Sequence, residues 1–142
     1  ANCVRLPEHI ATGDAALIEP LSCAVRGYDV LTSQLGSHVL IYGAGTMGLM
    51  MLELAKRTGA ASVDIVELSA ERLKIARDLG CTNAVTSADE LDQPFGWELV
   101  VDATGNQRAI QDGLGRVGPG GTFLQFGVAD YATRVTIDPY RI

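Results

Sequence analysis

Three glycines in the stretch Gly43-Ala44-Gly45-Thr46-Met47-Gly48 hold a G-x-G-x-x-G spacing, directly after the apolar run Val39-Leu40-Ile41-Tyr42. Leu49-Met50-Met51-Leu52 follow at once in helical composition. A buried strand that turns on glycine into a helix can cradle a pyrophosphate, and each glycine has its own task. Gly43 lets the chain leave the strand in a conformation closed to residues with a Cβ. Gly45 leaves the backbone bare for close approach of an anion, and Gly48 lets the new helix pack tightly on the strand. The unpaired N–H groups of the first helical turn then face the phosphates, with the positive end of the helix dipole behind them. Glu67 lies 19 residues beyond Gly48 at the end of the next apolar run. A carboxylate there can accept hydrogen bonds from both adenosine ribose hydroxyls, and it repels a 2′-phosphate. In a chain with 16 glycines the spacing alone is a weak signal, and the strand, helix and acid around it narrow the reading.

Other groups able to do chemistry are sparse. Cys3, Cys23 and Cys81 are odd in number and far apart, with no C-x-x-C pair, so they predict neither a disulfide framework nor a structural zinc site. Buried or idle thiols in a reducing cytoplasm are the reading. Glu19 sits between apolar flanks, Ile18 and Leu21, and by itself reads as a solvated carboxylate at a helix end. The net charge of −6 argues against nucleic acid or an anionic membrane as partner. No Asp, Glu, Lys or Arg occurs from Val30 to Leu52, but the apolar part, Val39 to Leu52, is too short and glycine-rich to span a bilayer.

These groups need elements to hold them. At 142 residues the chain makes one sizeable core. Asp14 is a plausible N-cap for Ala15-Ala16-Leu17-Ile18, Glu19-Pro20 should break that turn, and Ser22 should cap a second helix from Cys23 to about Leu35, stopped by Gly36. From 39 onward strand and helix alternate. A helix is predicted over Thr46–Thr58, a strand over Ser62–Glu67, and a helix over Ala70–Leu79 capped by Ser69, with Leu73, Ala76 and Leu79 buried. A short strand near Asn83–Thr86, a polar loop over Ser87–Trp97 and a strand over Glu98–Asp102 follow. A weak helix over about 106–116 and a turn at Gly118-Pro119-Gly120-Gly121 lead to a strand over Thr122–Phe126, with one more possible over Arg134–Ile137. Such alternation gives an α/β fold, a Rossmann-type doubly wound parallel sheet. The expected division is residues 1–36 as a connecting segment and 37–142 as the nucleotide-binding domain.

Five motifs in order resemble the medium-chain zinc-dependent alcohol and polyol dehydrogenases, most of all the sorbitol and threonine dehydrogenase branch. They are Ile18-Glu19-Pro20-Leu21-Ser22-Cys23-Ala24-Val25, Gly43-Ala44-Gly45-Thr46-Met47-Gly48, Glu67-Leu68-Ser69-Ala70-Glu71-Arg72-Leu73, Asp102-Ala103-Thr104-Gly105 and Gly118-Pro119-Gly120-Gly121. The resemblance implies a coenzyme site built from Gly43, Gly45, Thr46, Met47, Gly48, Glu67, Leu68, Arg72, Thr104, Phe126, Gly127 and Val128. Within it, Glu67 and Arg72 would hold the adenosine ribose, Glu67 implying NAD over NADP. Met47 would lie behind the pyrophosphate turn, with Thr104 and Phe126-Gly127-Val128 on the nicotinamide side. Glu19 matches a zinc-site position of the intact enzyme. Arg26 departs from the family, which often has His there. The resemblance further implies a small-molecule alcohol substrate, zinc in the intact enzyme, and a homo-oligomer at full length.

The family's upstream zinc-ligand Cys, its Gly-His-Glu segment and its four-cysteine zinc lobe are not in these 142 residues, and its sixth sheet strand is expected beyond Ile142. The expectation is therefore a cofactor half that binds NAD without turnover, residues 1–36 being the tail of the catalytic domain and a connecting helix. Two alternatives stay open. A nucleotide-sensing regulatory domain would share the glycine turn and the acid but has no need of Glu19-Pro20-Leu21. A methyltransferase using S-adenosylmethionine would usually read G-x-G-x-G, where this chain has Met47.

Overall fold

The structure, a computed structural model, describes residues 5–31 and 35–141. Two helices, α1 (Thr12–Ala15) and α2 (Ile18–Asp29), precede an alternation of β1 (His38–Tyr42), α3 (Thr46–Arg57), β2 (Ser62–Val66), α4 (Ala70–Asp78), β3 (Asn83–Val85), β4 (Trp97–Asp102), α5 (Gln107–Arg116) and β5 (Val117–Gln125). The five strands form one sheet in the order β3-β2-β1-β4-β5, and every pairing is parallel. The chain leaves β1 toward β2 on one side and returns to place β4 on the other. That reversal makes the crevice beyond β1 and β4 the topological switch point, where open α/β sheets receive ligands.

Alternate residues of each central strand feed opposite layers, so both faces must be covered. Val39 and Ile41 of β1, Val63 and Ile65 of β2, and Leu99 and Val101 of β4 join Met51, Leu52 and Ala55 of α3, Leu73 and Ala76 of α4, and Ala24 and Tyr28 of α2. Leu40, Tyr42, Val66, Val100 and Trp97 build the other layer, with Ala109 of α5 against it. Two acids are buried in this sheet, Asp64 and Asp102. Asp64 accepts from the Trp97 indole at 2.9 Å and from the Asn83 amide at 2.8 Å, which ties β2 to both β3 and β4.

The strands and the helices after 39 fall where periodicity places them, and the differences have physical causes. Pro20 does not break a helix; α2 starts at Ile18 and runs through it. Proline in the first turn lacks only an N–H that would have no intrahelical partner. Asp14 lies inside α1 and caps nothing, while the Ser22 hydroxyl donates back to the Glu19 carbonyl at 2.7 Å, well inside α2. α2 ends at Asp29, short of Leu35. Cys3, the rest of residues 1–4, and the 32–34 portion of the expected helix lie outside the described residues. Leu79 is 36% exposed, because α4 ends one residue earlier. The polar loop holds a 3-10 turn, Ala88–Glu90, closed by a capping box with Ser87.

Gly118-Pro119-Gly120-Gly121 is not a separate turn before β5 but a bulge inside it. The pairing moves from Trp97↔Val117 to Leu99↔Thr122, so a two-residue step on β4 faces a five-residue step on β5. Residues 134–137 form no strand; the Gln111 side chain clips this segment by accepting from the Thr136 N–H at 2.6 Å and donating to its carbonyl at 2.8 Å.

Candidate functional site

Val66, Tyr42, Asp102 and Gln125 sit side by side in register across β2, β1, β4 and β5. Each is the last residue of its strand, so the four chains leave the sheet along one carboxyl edge. The residues singled out in the sequence follow immediately: Gly43–Gly48 after β1, Glu67 and Leu68 after β2, Thr104 after β4, and Phe126, Gly127 and Val128 after β5. Backbone bonds continue the row beyond the strands, Gly43 N donating to Val66 O at 2.8 Å and Ala103 N to Tyr42 O at 2.9 Å.

The glycine turn answers its three assignments differently. Gly43 has φ of +97°, and a Cβ on it would stand 2.8 Å from the Thr104 methyl. A Cβ on Gly48 would meet the Gly43 carbonyl oxygen at 1.9 Å, so α3 can start this close to β1 only on glycine. Gly45 is unlike both. Its φ is −76° and an added Cβ would meet nothing within 4 Å. Neither a positive φ nor packing calls for glycine there, and the bare backbone leaves the turn open to close approach of a ligand.

Gly45 is also the N-cap of α3 and offers no side chain to its first turn. The starts of α4 and α5 contrast with it, since Ser69 accepts from Arg72 N at 3.4 Å and Asn106 from Arg108 N at 2.9 Å. The first turn of α3, with Thr46 exposed and Met47 packed partly on the core, thus presents N–H groups that an anion can satisfy.

Glu67 is fixed by the backbone around it. Oε1 accepts from Leu68 N at 2.8 Å and Ser69 N at 3.0 Å, Oε2 accepts from Ala44 N at 2.9 Å, and Arg72 Nη1 stands 3.8 Å from Oε2. Burial works against its charge, but the N–H groups of Ala44, Ser69 and Leu68, with Arg72 beside them, outweigh it and hold the carboxyl below the usual range. The bond to Ala44 pins the glycine turn to the end of β2, a task spacing does not reveal. A carboxylate has about four lone-pair sites, so Oε2 keeps capacity for a ligand hydroxyl. Leu68 is 84% exposed beside it.

Opposite, Thr104 and Gly105 rest against the strand-exit segment of β5. A Cβ on Gly105 would meet Val128 O at 2.1 Å, and one on Gly127 would meet Gly105 N at 2.2 Å. The Phe126 ring turns inward instead, lying 2.8 Å from where a Cβ on Gly27 of α2 would be, so the backbone of 126–128 forms the wall. Val128 is 94% exposed. Asp102, quoted only as part of a motif in the sequence, is fully buried here and accepts from Thr104, Gly105 and Gln125. Its signal was an apolar strand ending in an acid, a feature it shares with Glu67.

Glu19 stands exposed in the first turn of α2, where the Cys23 thiol donates to Oε1 at 3.2 Å, and Arg26 is exposed in the last turn. Among the described residues no three His, Cys, Asp or Glu side chains gather as a metal cage, so these residues alone do not fit a catalytic zinc, which needs three protein ligands. They do fit a dinucleotide: a bare cradle at Gly45, an uncapped helix start and an anchored acid. No helix among them is long and apolar enough to cross a membrane.

Residues 46–142 match the zinc-binding dehydrogenase family. D-arabinitol dehydrogenase 1 of Uromyces fabae is 35% identical over 146 residues, covering 95% of this chain and 42% of that protein. Sorbitol dehydrogenase of Bos taurus is 32% identical over 145 residues, covering 95% and 41%. The crystal structure of a putative zinc-binding dehydrogenase from Sinorhizobium meliloti 1021, bound to NADP, superposes with a TM-score of 0.87 at 26% identity, over 96% of this chain and 43% of that one. The chain thus spans about two-fifths of the length of the relatives it matches.

Proposed function

The chain belongs to the zinc-binding dehydrogenase family, and on that premise we propose that it is the coenzyme-binding portion of an oxidoreductase that moves hydride between a secondary alcohol of the polyol or sugar type and NAD. The observation that carries this reading is Gly45: a glycine needed by neither backbone nor packing, set where a helix start has no cap. The first turn of α3, from Thr46 to Gly48, would hold the pyrophosphate, with Met47 filling the space behind. Glu67 would accept from the adenosine ribose through Oε2, helped by Arg72, while Leu68 gives the adenine an apolar edge. Thr104 and the 126–128 backbone would wall the nicotinamide half and keep water from it. The coenzyme supplies the hydride acceptor, and the protein's share is binding, orientation and exclusion of solvent.

We assign the coenzyme as NAD because a 2′-phosphate would fall against the anchored Glu67 carboxylate. Glu19 would give one ligand to zinc in the longer enzyme, and residues 1–36 would link the two domains. A small alcohol is the partner of the intact protein, which we expect to be a homo-oligomer. The free thiols Cys23 and Cys81 suit a reducing, cytoplasmic setting. Fluorescence titration of the chain with NADH and NADPH tests the reading. NADH should bind at least tenfold tighter, and a chain that binds neither would end it.

A further inference from the structure

Asp102 is the last residue of β4 and fully buried, and its carboxylate is held by the segment that leaves β4 and by the last residue of β5. Oδ1 accepts from Thr104 N at 3.1 Å and from Thr104 Oγ1 at 2.6 Å. Oδ2 accepts from Gly105 N at 2.9 Å and from Gln125 Nε2 at 2.7 Å. Its carbonyl accepts from Phe126 N at 2.9 Å and Gly127 N at 2.7 Å. Gln125 Nε2 donates as well to Gly127 O at 2.7 Å, so one amide joins the acid to the second segment. A Cβ on Gly127 would stand 2.8 Å from Oδ2, and only glycine lets the β5 exit close down on the carboxylate.

A buried acid is retained where its hydrogen bonds are all made, and here they fix two loops against each other. The switch point splits the crevice into two nucleotide halves. Glu67, past β2, serves the adenosine half. The β4 and β5 exits border the other half, where the reacting ring must lie. We infer that Asp102, with Gln125 as its outer arm, is a positioning residue for the nicotinamide half of the coenzyme. It sets the spacing of Thr104 and Gly127 and has no part in holding ADP-ribose. This rests on the coenzyme reading above and adds to it a residue that acts only through others.

Asparagine at 102 keeps the shape but turns one oxygen into NH2, which then faces a backbone or amide N–H donor whichever way it is flipped. The test compares NADH with ADP-ribose, which lacks the ring, on the purified chain. Asp102→Asn should weaken NADH about tenfold, leave ADP-ribose within twofold, and reduce the change in nicotinamide fluorescence on binding. Gln125→Ala removes an exposed arm, leaves the carboxylate its bonds to Thr104 and Gly105, and should lower the NADH to ADP-ribose affinity ratio about threefold. Parallel losses for both probes in Asp102→Asn, or an unchanged ratio in Gln125→Ala, would overturn the inference. Unmutated chain that binds neither probe would instead overturn the coenzyme reading, and this inference with it.

Discussion

A side chain at position 45 would enter open space in front of α3, so its effect on the fold and its effect on a ligand separate cleanly. Gly45→Val is expected to stay within about 1 kcal/mol of the parent in chemical denaturation, the range for exchanging an N-cap glycine. NADH binding should vanish, since on the proposed reading the isopropyl group would fill the place of the pyrophosphate. Retained affinity in the folded variant would show that the turn is not the phosphate site. Glu67 makes a complementary case through charge. Two like charges about 4 Å apart repel by about 4 kcal/mol at an effective dielectric near 20, and water and Arg72 screen part of this. A tenfold preference for NADH needs only about 1.4 kcal/mol of it, and Glu67→Ala should narrow that gap. The same residue sets a pH dependence. Its carboxyl is held lower in the folded chain than in the unfolded one, where 4.5 is the ordinary value. The stability it gives is therefore complete above about pH 4.5 and lost as pH falls through the folded value. The thermal midpoints of parent and Glu67→Gln should differ at pH 7 and converge in acid, and a constant gap from pH 7 to 3 would count against this role.

Between elements, what matters is how closely two backbones approach. Gly48→Ala would set a Cβ 1.9 Å from the Gly43 carbonyl oxygen, so α3 must move off β1. A loss of more than about 3 kcal/mol is expected, at the upper end for overpacking, and a variant as stable as the parent would mean that α3 is free to shift. The G-x-G-x-x-G spacing made this contact legible, because the motif itself encodes a strand, a turn and a helix. The sheet was legible for a similar reason: Val39 to Tyr42, Ser62 to Val66 and Leu99 to Asp102 are short apolar runs between helical stretches. Local rules served less well where tertiary contacts decide. Pro20 reads as a helix breaker, yet the first turn of α2 lets it pass, and Gly27 beside Phe126 gives α2 its seat on the core. The bulge at Gly118–Gly121 was hidden because a run of glycine and proline reads as a turn whether or not its ends stay paired. Asp102 was visible as a letter and not as a role: its bonds to Thr104 and Gly105 are local, but Gln125 reaches it only once β4 and β5 lie side by side.

For the whole molecule, the balance of parts governs what it can do. On the proposed reading, the described residues bring together a cradle for a diphosphate, an acid for a sugar and two loops for a reacting ring. They bring Glu19 with Cys23 as its near neighbour, but no cage of three metal ligands. Polarising an alcohol on zinc takes three protein ligands and an open position, so binding and chemistry should come apart in this chain. NADH at about 100 times its Kd should stabilise the folded chain by about 2.7 kcal/mol, which for a domain of this size raises the melting midpoint by roughly 6–10 °C. In a separate assay with NAD in place of NADH, with zinc added and sorbitol or xylitol at saturating concentration, no NADH should form above the rate without protein. The shift in midpoint reports the cradle, and the flat absorbance at 340 nm (where reduced nicotinamide absorbs) reports the incomplete metal site. A stabilised chain that also reduced NAD would show that these residues carry a full reaction centre, and a chain neither stabilised nor active would remove the coenzyme site itself.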